Sequence, residues 1–314
     1  MKKNTVPPPF HYRISGLNVA SDIELPMRSR LNTEDAQHVD VTLHVNEVPT
    51  QLSHPTRSGP NWSADETSFL LDLPGIGRFI ASNGQRLTLQ PADGIPLDDI
   101  LVFATGTALA GILYQRGALL LHGSSIVHEG RAFVFCGPSG AGKSTLAAAL
   151  NQAGCSFLAD DVCSIELVAG APRVHADGRA LRLYADSIGQ VGLKDAVGPK
   201  VRMHIEKFHV QPSTSLYRED GIPLAAIYML SDSNAASPPG ISRLPSLTAA
   251  QALLRNTYRR RLALAYSSQG QLATQTAALL SSVPVFRLHR PRDFDCLAET
   301  VESLQTHWGK YAHD

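Results

Sequence analysis

The segment GPSGAGKS, residues 137–144, fits the pattern G-x-x-x-x-G-K-[ST] in full. Glycines in this pattern let successive backbone N–H groups curl around a β-phosphate, and the helix that follows adds its positive N-terminal end. Lys143 would then reach the β- and γ-phosphates of a nucleotide, and the hydroxyl of Ser144 would bind Mg²⁺. The apolar run AFVFC before the loop and the alanine-rich run after it supply the strand and helix that the motif requires. The residues predicted to bind nucleotide are Gly137, Pro138, Ser139, Gly140, Ala141, Gly142, Lys143, Ser144 and Thr145.

Two adjacent acids, Asp160 and Asp161, end the apolar run Phe157-Leu158-Ala159 that follows the predicted helix. An acid at the C-terminal tip of this strand is the group that holds Mg²⁺ and orients the nucleophile in phosphate-loop enzymes. Because neighbouring residues on a strand point to opposite faces, the two acids can serve two different roles. A solvated pair at a turn is the alternative, but the phosphate loop upstream favours a site.

His122 is a further candidate, a polar residue inside the apolar run LLLHGSS. Taken by itself, a histidine in a strand is more often a satisfied core residue than a catalyst. Its position becomes informative through the motifs that follow it. Taken in order, His122-Gly123, GPSGAGKS and LADD resemble three motifs of the HPr kinase/phosphorylase family, with matching spacing. The resemblance covers about residues 100–190.

This resemblance implies an α/β fold with an HPr-kinase-like (PEP-carboxykinase-like) core sheet and helices, and an ATP-dependent serine kinase that uses Mg²⁺. It also implies roles for individual residues. Asp161 matches the proton acceptor of the family, and His122 matches its active-site histidine. Lys143 and Ser144 match the phosphate-binding lysine and the metal ligand, while Asp160 would assist the metal and the base.

HPr-kinase-like proteins associated with lasso-peptide biosynthesis share this core and phosphorylate a serine near the C-terminus of the precursor peptide. The β-rich N-terminal region and the stretch SGLNVASDIELP resemble those kinases more than true HPr kinases. The resemblance therefore implies a peptide or protein substrate with an acceptor serine, and most specifically a lasso-peptide precursor.

Two departures from the HPr kinase pattern bear on the substrate and on the reverse reaction. The Glu-Ile-Arg-Gly segment, which implies a metal-binding acid and phosphorolysis, is missing, and Thr145 stands where true HPr kinases have glutamate. Asp186, in LRLYADSIG, falls in the neighbourhood of the missing segment and is a candidate substitute, with a surface aspartate as the alternative. The departures predict forward transfer without appreciable phosphorolysis.

A phosphoryl-transfer site also needs a cation to stabilise charge on the moving group. Lys200 and Arg202, which follow the loop Val197-Gly198-Pro199, are the candidates from sequence. The basic run at residues 259–261 is explained by its place near a helix C-terminus.

The organisation of the chain changes near residue 95. Residues 10 to about 92 contain short β-forming runs separated by Gly, Pro, Ser and Asn, such as FLLDL, RFIAS and RLTLQ. A helix is predicted from Pro96 to Gly117, and strand-like and helix-like runs alternate after it, which indicates an α/β sheet. We therefore predict a β-rich accessory or substrate-recognition domain at 1–95 and a catalytic domain at 96–314.

The charge composition argues against nucleic acid and membranes as partners. Lys+Arg and Asp+Glu both number 28, so that the formal net charge is zero and no broad footprint for nucleic acid or an anionic membrane exists. The N-terminal stretch shows no secretory signal, and the uncharged run 100–115 is too short and too rich in Gly and Thr for a membrane span. The four cysteines have no CxxC or metal-ligand spacing. A cytoplasmic enzyme is expected, with homo-oligomerisation left open.

The phosphate loop identifies the donor but leaves the acceptor open. Besides a peptide or protein serine, a small molecule or an HPr-like protein are alternative acceptors. A nucleotide-binding sensor or assembly ATPase, which hydrolyses slowly and transfers nothing, is the alternative from another class. The histidine and paired aspartates in register favour transfer.

Overall fold

The structure is a computed structural model that describes residues 10–27, 30–31, 38–202, 205–234 and 238–309. Its strands are β1 Phe10–Ile14, β2 Leu17–Ser21, β3 Arg30–Leu31, β4 Val41–Val45, β5 Arg57–Gly59, β6 Trp62–Ala64, β7 Ser68–Leu73, β8 Gly77–Ser82, β9 Arg86–Pro91, β10 Leu119–Leu121, β11 Gly123–His128, β12 Arg131–Cys136, β13 Ser156–Asp160, β14 Cys163–Val168, β15 Ala171–His175, β16 Leu181–Tyr184, β17 Val197–Arg202, β18 Ile205–Val210, β19 Ile222–Asp232, β20 Gly240–Arg243 and β21 Val285–Arg290. Its helices are α1 Leu97–Phe103, α2 Leu109–Gln115, α3 Lys143–Gln152, α4 Ala185–Gln190, α5 Ser246–Arg255, α6 Arg260–Tyr266, α7 Gln269–Leu280 and α8 Leu297–Gly309.

The chain divides into two compact units. One comprises the described residues up to Ala118 together with Arg261–Gln269, and the other comprises Leu119–Arg260 and the described residues from Gly270 onward. The first unit contains a nine-stranded sheet with the order β3-β1-β2-β4-β9-β8-β7-β6-β5, as the predicted β-rich region requires. Most neighbours are antiparallel, but β4 pairs in parallel with both β2 and β9.

The boundary between the units lies after Ala118 rather than at the predicted residue 95. Helices α1 and α2, joined by a π-helical turn at Ala104–Ala108, pack on the N-terminal sheet and so belong to the first unit. The approach is close, because a Cβ on Gly111 would lie 2.6 Å from the ring of Phe69. By length and composition Leu97–Gln115 could cross a membrane, but 67% of its most apolar window is buried, as in a core helix.

The second unit is built on a sheet with the order β10-β14-β15-β19-β12-β11-β13. Strand β19 lies parallel to β12 on one side and to β21 on the other, and β20 adds to β21 in antiparallel orientation. The predicted hairpin of β11 and β12 is present. An α/β core with a phosphate loop after β12, preceded by a β-rich region, is the predicted fold class, and the structure confirms it.

The sheet of the second unit is buried on both faces, because strand side chains alternate between them. Phe133 and Phe135 of β12 pack on one face with α3 and α8. Val134 and Cys136 pack on the other face with α5 and α7. This explains the near-continuous apolar runs in the sequence, which are typical of strands covered on both sides.

A separate three-stranded antiparallel sheet, β16-β18-β17, lies beside the phosphate loop. Leu181 and Leu183 of β16 point into the core that α3 covers. The alternate residue Arg182, and the directly paired Tyr184 and Lys207, therefore share the opposite face. This face forms one side of the cleft described next.

Candidate functional site

A cleft of about 450 Å³ opens in the second unit between the phosphate loop and the three-stranded sheet. It collects most of the residues predicted from sequence. The predicted residues that line it are His122, Ser139, Gly140, Ala141, Gly142, Lys143, Ser144, Thr145, Asp160, Asp161 and Asp186. Gly137 and Pro138 form the start of the loop and are not among the lining residues.

The phosphate loop adopts a backbone that only glycine accommodates easily. Gly140 and Gly142 both have φ near +79°, and Gly142 is the residue that precedes the first turn of α3. A Cβ at Gly142 would lie 2.4 Å from Nη2 of Arg290, whose guanidinium donates to the carbonyl of Ala141 at 2.7 Å. Arg292 donates to the carbonyl of Gly140 at 2.6 Å, so that two arginines at the end of β21 hold the loop.

The ammonium group of Lys143 donates hydrogen bonds to the backbone of the phosphate loop. Its Nζ donates to the carbonyl oxygens of Gly137 at 3.0 Å and Pro138 at 3.1 Å. Burial lowers the pKa of Lys143, while the nearby Cys136, Asp160 and Asp161 oppose that shift. Neutral carbonyls hold the ammonium group directly, which leaves its charge available to phosphate groups.

Asp160, at the end of β13, is 2% exposed, and its carboxylate accepts three hydrogen bonds from the described residues. Ser144 Oγ donates to its Oδ1 at 2.8 Å and Ser124 Oγ donates to the same oxygen at 2.6 Å. The backbone N–H of Arg182 donates to Oδ2 at 3.2 Å. A hydroxyl and a carboxylate oxygen this close are hard donors of the kind Mg²⁺ takes, with water and substrate phosphates completing its shell. The pair Ser144 and Asp160 therefore fits Mg²⁺.

Asp161 has φ +79° and directly follows Asp160, the last residue of β13. His122 Nδ1 lies 3.2 Å from its Oδ1, and Nη2 of Arg182 lies 2.8 Å from its Oδ2. Burial raises the pKa of Asp161, but the hydrogen bond with His122 and the charges of Arg182 and Arg179 outweigh it and hold that pKa well below its usual range. The carboxylate is therefore ionised, and its side chain is 28% exposed at the cleft.

His122 lies in the break between β10 and β11, and not in the middle of one strand as its apolar surroundings suggested. A residue missed from sequence, Asn256, supports this break. Its carbonyl accepts from the N–H of His122 at 2.7 Å, and its side-chain Oδ1 accepts from the N–H of Gly137 at 3.1 Å. Asn256 thereby ties the histidine to the start of the phosphate loop. It lies just after α5 in an uninformative stretch, and no local signal marked it.

Two arginines near the aspartates were also missed. Arg179 is buried against Asp177, and Arg182 lies on the cleft face of β16. The segment HADGRALRLY places an acid and two arginines inside an apolar context, which was the available signal. Burial of an unpaired charge is costly, so that charges in such a context indicate partners.

Of the two cations proposed from sequence, the structure describes the side chain of one. Lys200 pairs with Glu206 and lies over the ring of Phe208, and it does not line the cleft. Arg202 ends β17, and its side chain falls outside the described part of the chain. The cleft instead receives Lys207, from the neighbouring strand. Asp186 does face the cleft, and its Oδ1 accepts from the N–H of Ser187.

Comparison with known proteins gives partial matches. No protein-family model matches the chain. Over 106 residues it is 32% identical to the phosphate import ATP-binding protein PstB 2 of Synechocystis sp., which covers 31% of this chain and 36% of PstB 2. The chain thus spans about a third of that protein's length. A solved structure, the Hpr(Ser) kinase/phosphatase from Coxiella burnetii, covers 61% of this chain and 97% of its own at 11% identity, with a TM-score of 0.34. A score this low does not establish a shared fold, and the fold class rests on the strand order and phosphate loop of this chain.

Proposed function

We propose that the protein is an ATP-dependent phosphotransferase that transfers the γ-phosphoryl group to a hydroxyl, and specifically to a serine of a peptide or protein. The observation that carries the proposal is the separation of the two aspartates beside one phosphate loop. The carboxylate of Asp160 accepts a hydrogen bond from the hydroxyl of Ser144, while the carboxylate of Asp161 contacts the imidazole of His122 at the open cleft. Asp160 is therefore placed to bind a metal ion, and Asp161 is placed to meet the hydroxyl of the acceptor. The match to PstB 2, an ATP-binding protein by name, supports ATP as the nucleotide.

In this proposal the acceptor oxygen attacks the γ-phosphorus in line, and the bond to the β–γ bridging oxygen breaks to release ADP. Lys143 neutralises charge on the phosphates, and Mg²⁺ held by Ser144 and Asp160 would neutralise more of it. Asp161 accepts the hydroxyl proton as the new bond forms, and His122 orients that carboxylate.

We further propose that the acceptor is the serine near the C-terminus of a lasso-peptide precursor. The supporting observation is the resemblance of the motifs and of the N-terminal region to kinases of that group. A small molecule, an HPr-like protein, and hydrolysis without an acceptor are the competing outcomes. A short precursor gene beside a cyclase and a protease in the genome would favour the peptide.

The test is incubation of the purified protein with Mg²⁺, γ-labelled ATP and a synthetic precursor peptide that ends in serine. A matched peptide with alanine in place of that serine, and the Lys143→Ala protein, are the controls. We expect label on the serine peptide alone. Release of labelled phosphate at the same rate with either peptide, and no labelled peptide, would contradict transfer and favour an ATPase.

The missing Glu-Ile-Arg-Gly segment carries a second test, of reversal. The phosphorylated peptide is mixed with excess inorganic phosphate, and pyrophosphate is measured. We expect none above the background of the Lys143→Ala protein. Rapid pyrophosphate formation would show that phosphorolysis does not depend on that segment.

A further inference from the structure

Two arginines approach the same oxygen of Asp161, and they are held very differently. Nη2 of Arg182 lies 2.8 Å from Oδ2 of Asp161, and its side chain, which lines the cleft, is 12% exposed. Among the described residues, this carboxylate is the ion-pair partner that the structure gives Arg182. A single partner at the wall of an open cleft leaves the guanidinium free to turn toward another anion.

Arg179 cannot turn in this way. Its Nε and Nη2 lie 3.0 Å and 2.9 Å from Oδ2 of Asp177, and Nη2 also donates to the carbonyl of Asp160 at 3.0 Å. The remaining Nη1 is buried without a hydrogen bond among the described residues, and it lies 3.9 Å from Oδ2 of Asp161. A buried N–H without a partner is rare in proteins and is a feature that calls for an explanation.

We propose that Arg182 leaves Asp161 to contact the transferred phosphoryl group, and that Nη1 of Arg179 then takes over Oδ2 of Asp161. This inference rests on the proposed function only in requiring a γ-phosphate in the cleft. The phosphate chain on the loop places negative charge opposite Arg182, and a planar guanidinium fork matches phosphoryl oxygens. The exchange keeps Asp161 paired and gives the orphaned N–H of Arg179 the partner it lacks.

This proposal replaces the cation candidates taken from sequence. Lys200 is engaged by Glu206 on the same three-stranded sheet and lies off the cleft. It therefore provides a matched control, a cation on the same sheet as Arg182 that does not line the cleft.

The first test needs no acceptor. Affinity for Mg·ADP is measured with and without aluminium fluoride, which mimics the transferred phosphoryl group, in wild-type, Arg182→Gln, Arg182→Lys and Lys200→Gln full-length proteins. We expect Arg182→Gln to bind ADP within about 3-fold of wild type and the fluoride complex about 10²-fold more weakly. The affinity of Arg182→Lys for the fluoride complex should lie between those of Arg182→Gln and wild type, and the affinity of Lys200→Gln should equal that of wild type. Equal gain from aluminium fluoride in Arg182→Gln and wild type would overturn the proposal; should Arg182→Gln fail to fold, Arg182→Lys carries the same comparison.

The second test concerns the exchange itself. In a crystal structure of the protein with Mg²⁺, ADP and aluminium fluoride, we expect Arg182 on the fluoride and Nη1 of Arg179 within about 3.2 Å of Oδ2 of Asp161. Arg182 still bound to Asp161 in that complex would overturn it. If the wild-type protein phosphorylates no hydroxyl yet binds the fluoride complex through Arg182, the proposed function fails while this inference stands.

Discussion

The two walls of the cleft arise from the chain in different ways. One wall is the phosphate loop, in which consecutive residues 139–145 supply the backbone, the lysine and the hydroxyl, and α3 begins within them at Lys143. The opposite wall takes Asp161 from the end of β13, Arg182 from β16 and Lys207 from β18. The first wall depends on local backbone geometry, whereas the second depends on the pairing of strands distant in sequence. Substitutions in the two walls should therefore fail in different ways.

We call the phosphate loop the local wall and the opposite side of the cleft the distant wall. Lys143→Ala tests the local wall and has the largest expected effect. Removing the ammonium group deletes the charge expected to meet the β- and γ-phosphates, together with its hydrogen bonds to two loop carbonyls. We expect phosphoryl transfer to fall by about 10³-fold. The measurement is initial-rate transfer from labelled ATP, with circular dichroism and thermal unfolding as the control for folding. Unchanged ATP turnover in a folded variant would contradict the role of the loop.

Asp161→Asn tests the distant wall. The amide keeps the size of the side chain but cannot accept the proton, so transfer should fall by at least about 10²-fold while ATP still binds. His122→Ala should cost less, because His122 orients the carboxylate and takes no proton itself in this mechanism. Rates and ATP affinity are measured for both variants and for Asp160→Asn.

The outcome for Asp160→Asn separates the two acids. This variant should bind Mg²⁺ more weakly and need a higher Mg²⁺ concentration for transfer, since the carboxylate of Asp160 accepts a hydrogen bond from the hydroxyl of Ser144 and would share the metal with it. A near wild-type rate in Asp161→Asn together with a dead Asp160→Asn would exchange the two roles. No effect in either variant would exclude the proposed mechanism.

The contrast between the walls also explains what the sequence could predict. The loop, both aspartates and the succession of a β-rich and an α/β region follow from local residue types and apolar periodicity, whereas the boundary predicted near residue 95 differs from the division after Ala118. His122 was found only through its order relative to other motifs, and it lies in the break between two strands rather than inside one. Arg182 was missed because its place depends on which face of β16 turns to the core, and that is set by pairing with β18. The candidates from sequence were Lys200 and Arg202, and Lys200 lies on β17, which β18 separates from β16.

Asn256→Ala sharpens the comparison, because this residue joins the break at His122 to the loop. Loss of its Oδ1 leaves the N–H of Gly137 without its partner, which we expect to destabilise the protein by about 1–2 kcal/mol. Transfer should fall by roughly 10-fold, since the loop start loses its anchor rather than a phosphate ligand. Thermal unfolding and steady-state kinetics measure the two effects. A full loss of transfer with unchanged stability would place Asn256 in contact with substrate.

The smallest expected effect is on the acid stability of the wall around Asp161. Its pKa lies well below the usual range in the folded protein, since His122, Arg182 and Arg179 outweigh burial, and it returns to about 3.9 on unfolding. Because the folded-state value is the lower one, ionised Asp161 stabilises the fold above about pH 4, and that stabilisation is lost as the pH falls toward the folded-state value. The free energy of unfolding of wild type, relative to Asp161→Asn, should therefore fall by about 1 kcal/mol from pH 5 to 3. Asparagine tolerates the positive φ at this position as aspartate does, so the substitution adds no backbone strain and the pH-dependent difference isolates the charge. Urea unfolding at each pH measures it, and a difference that does not change between pH 5 and 3 would mean that Asp161 is not held as an ion by the distant wall.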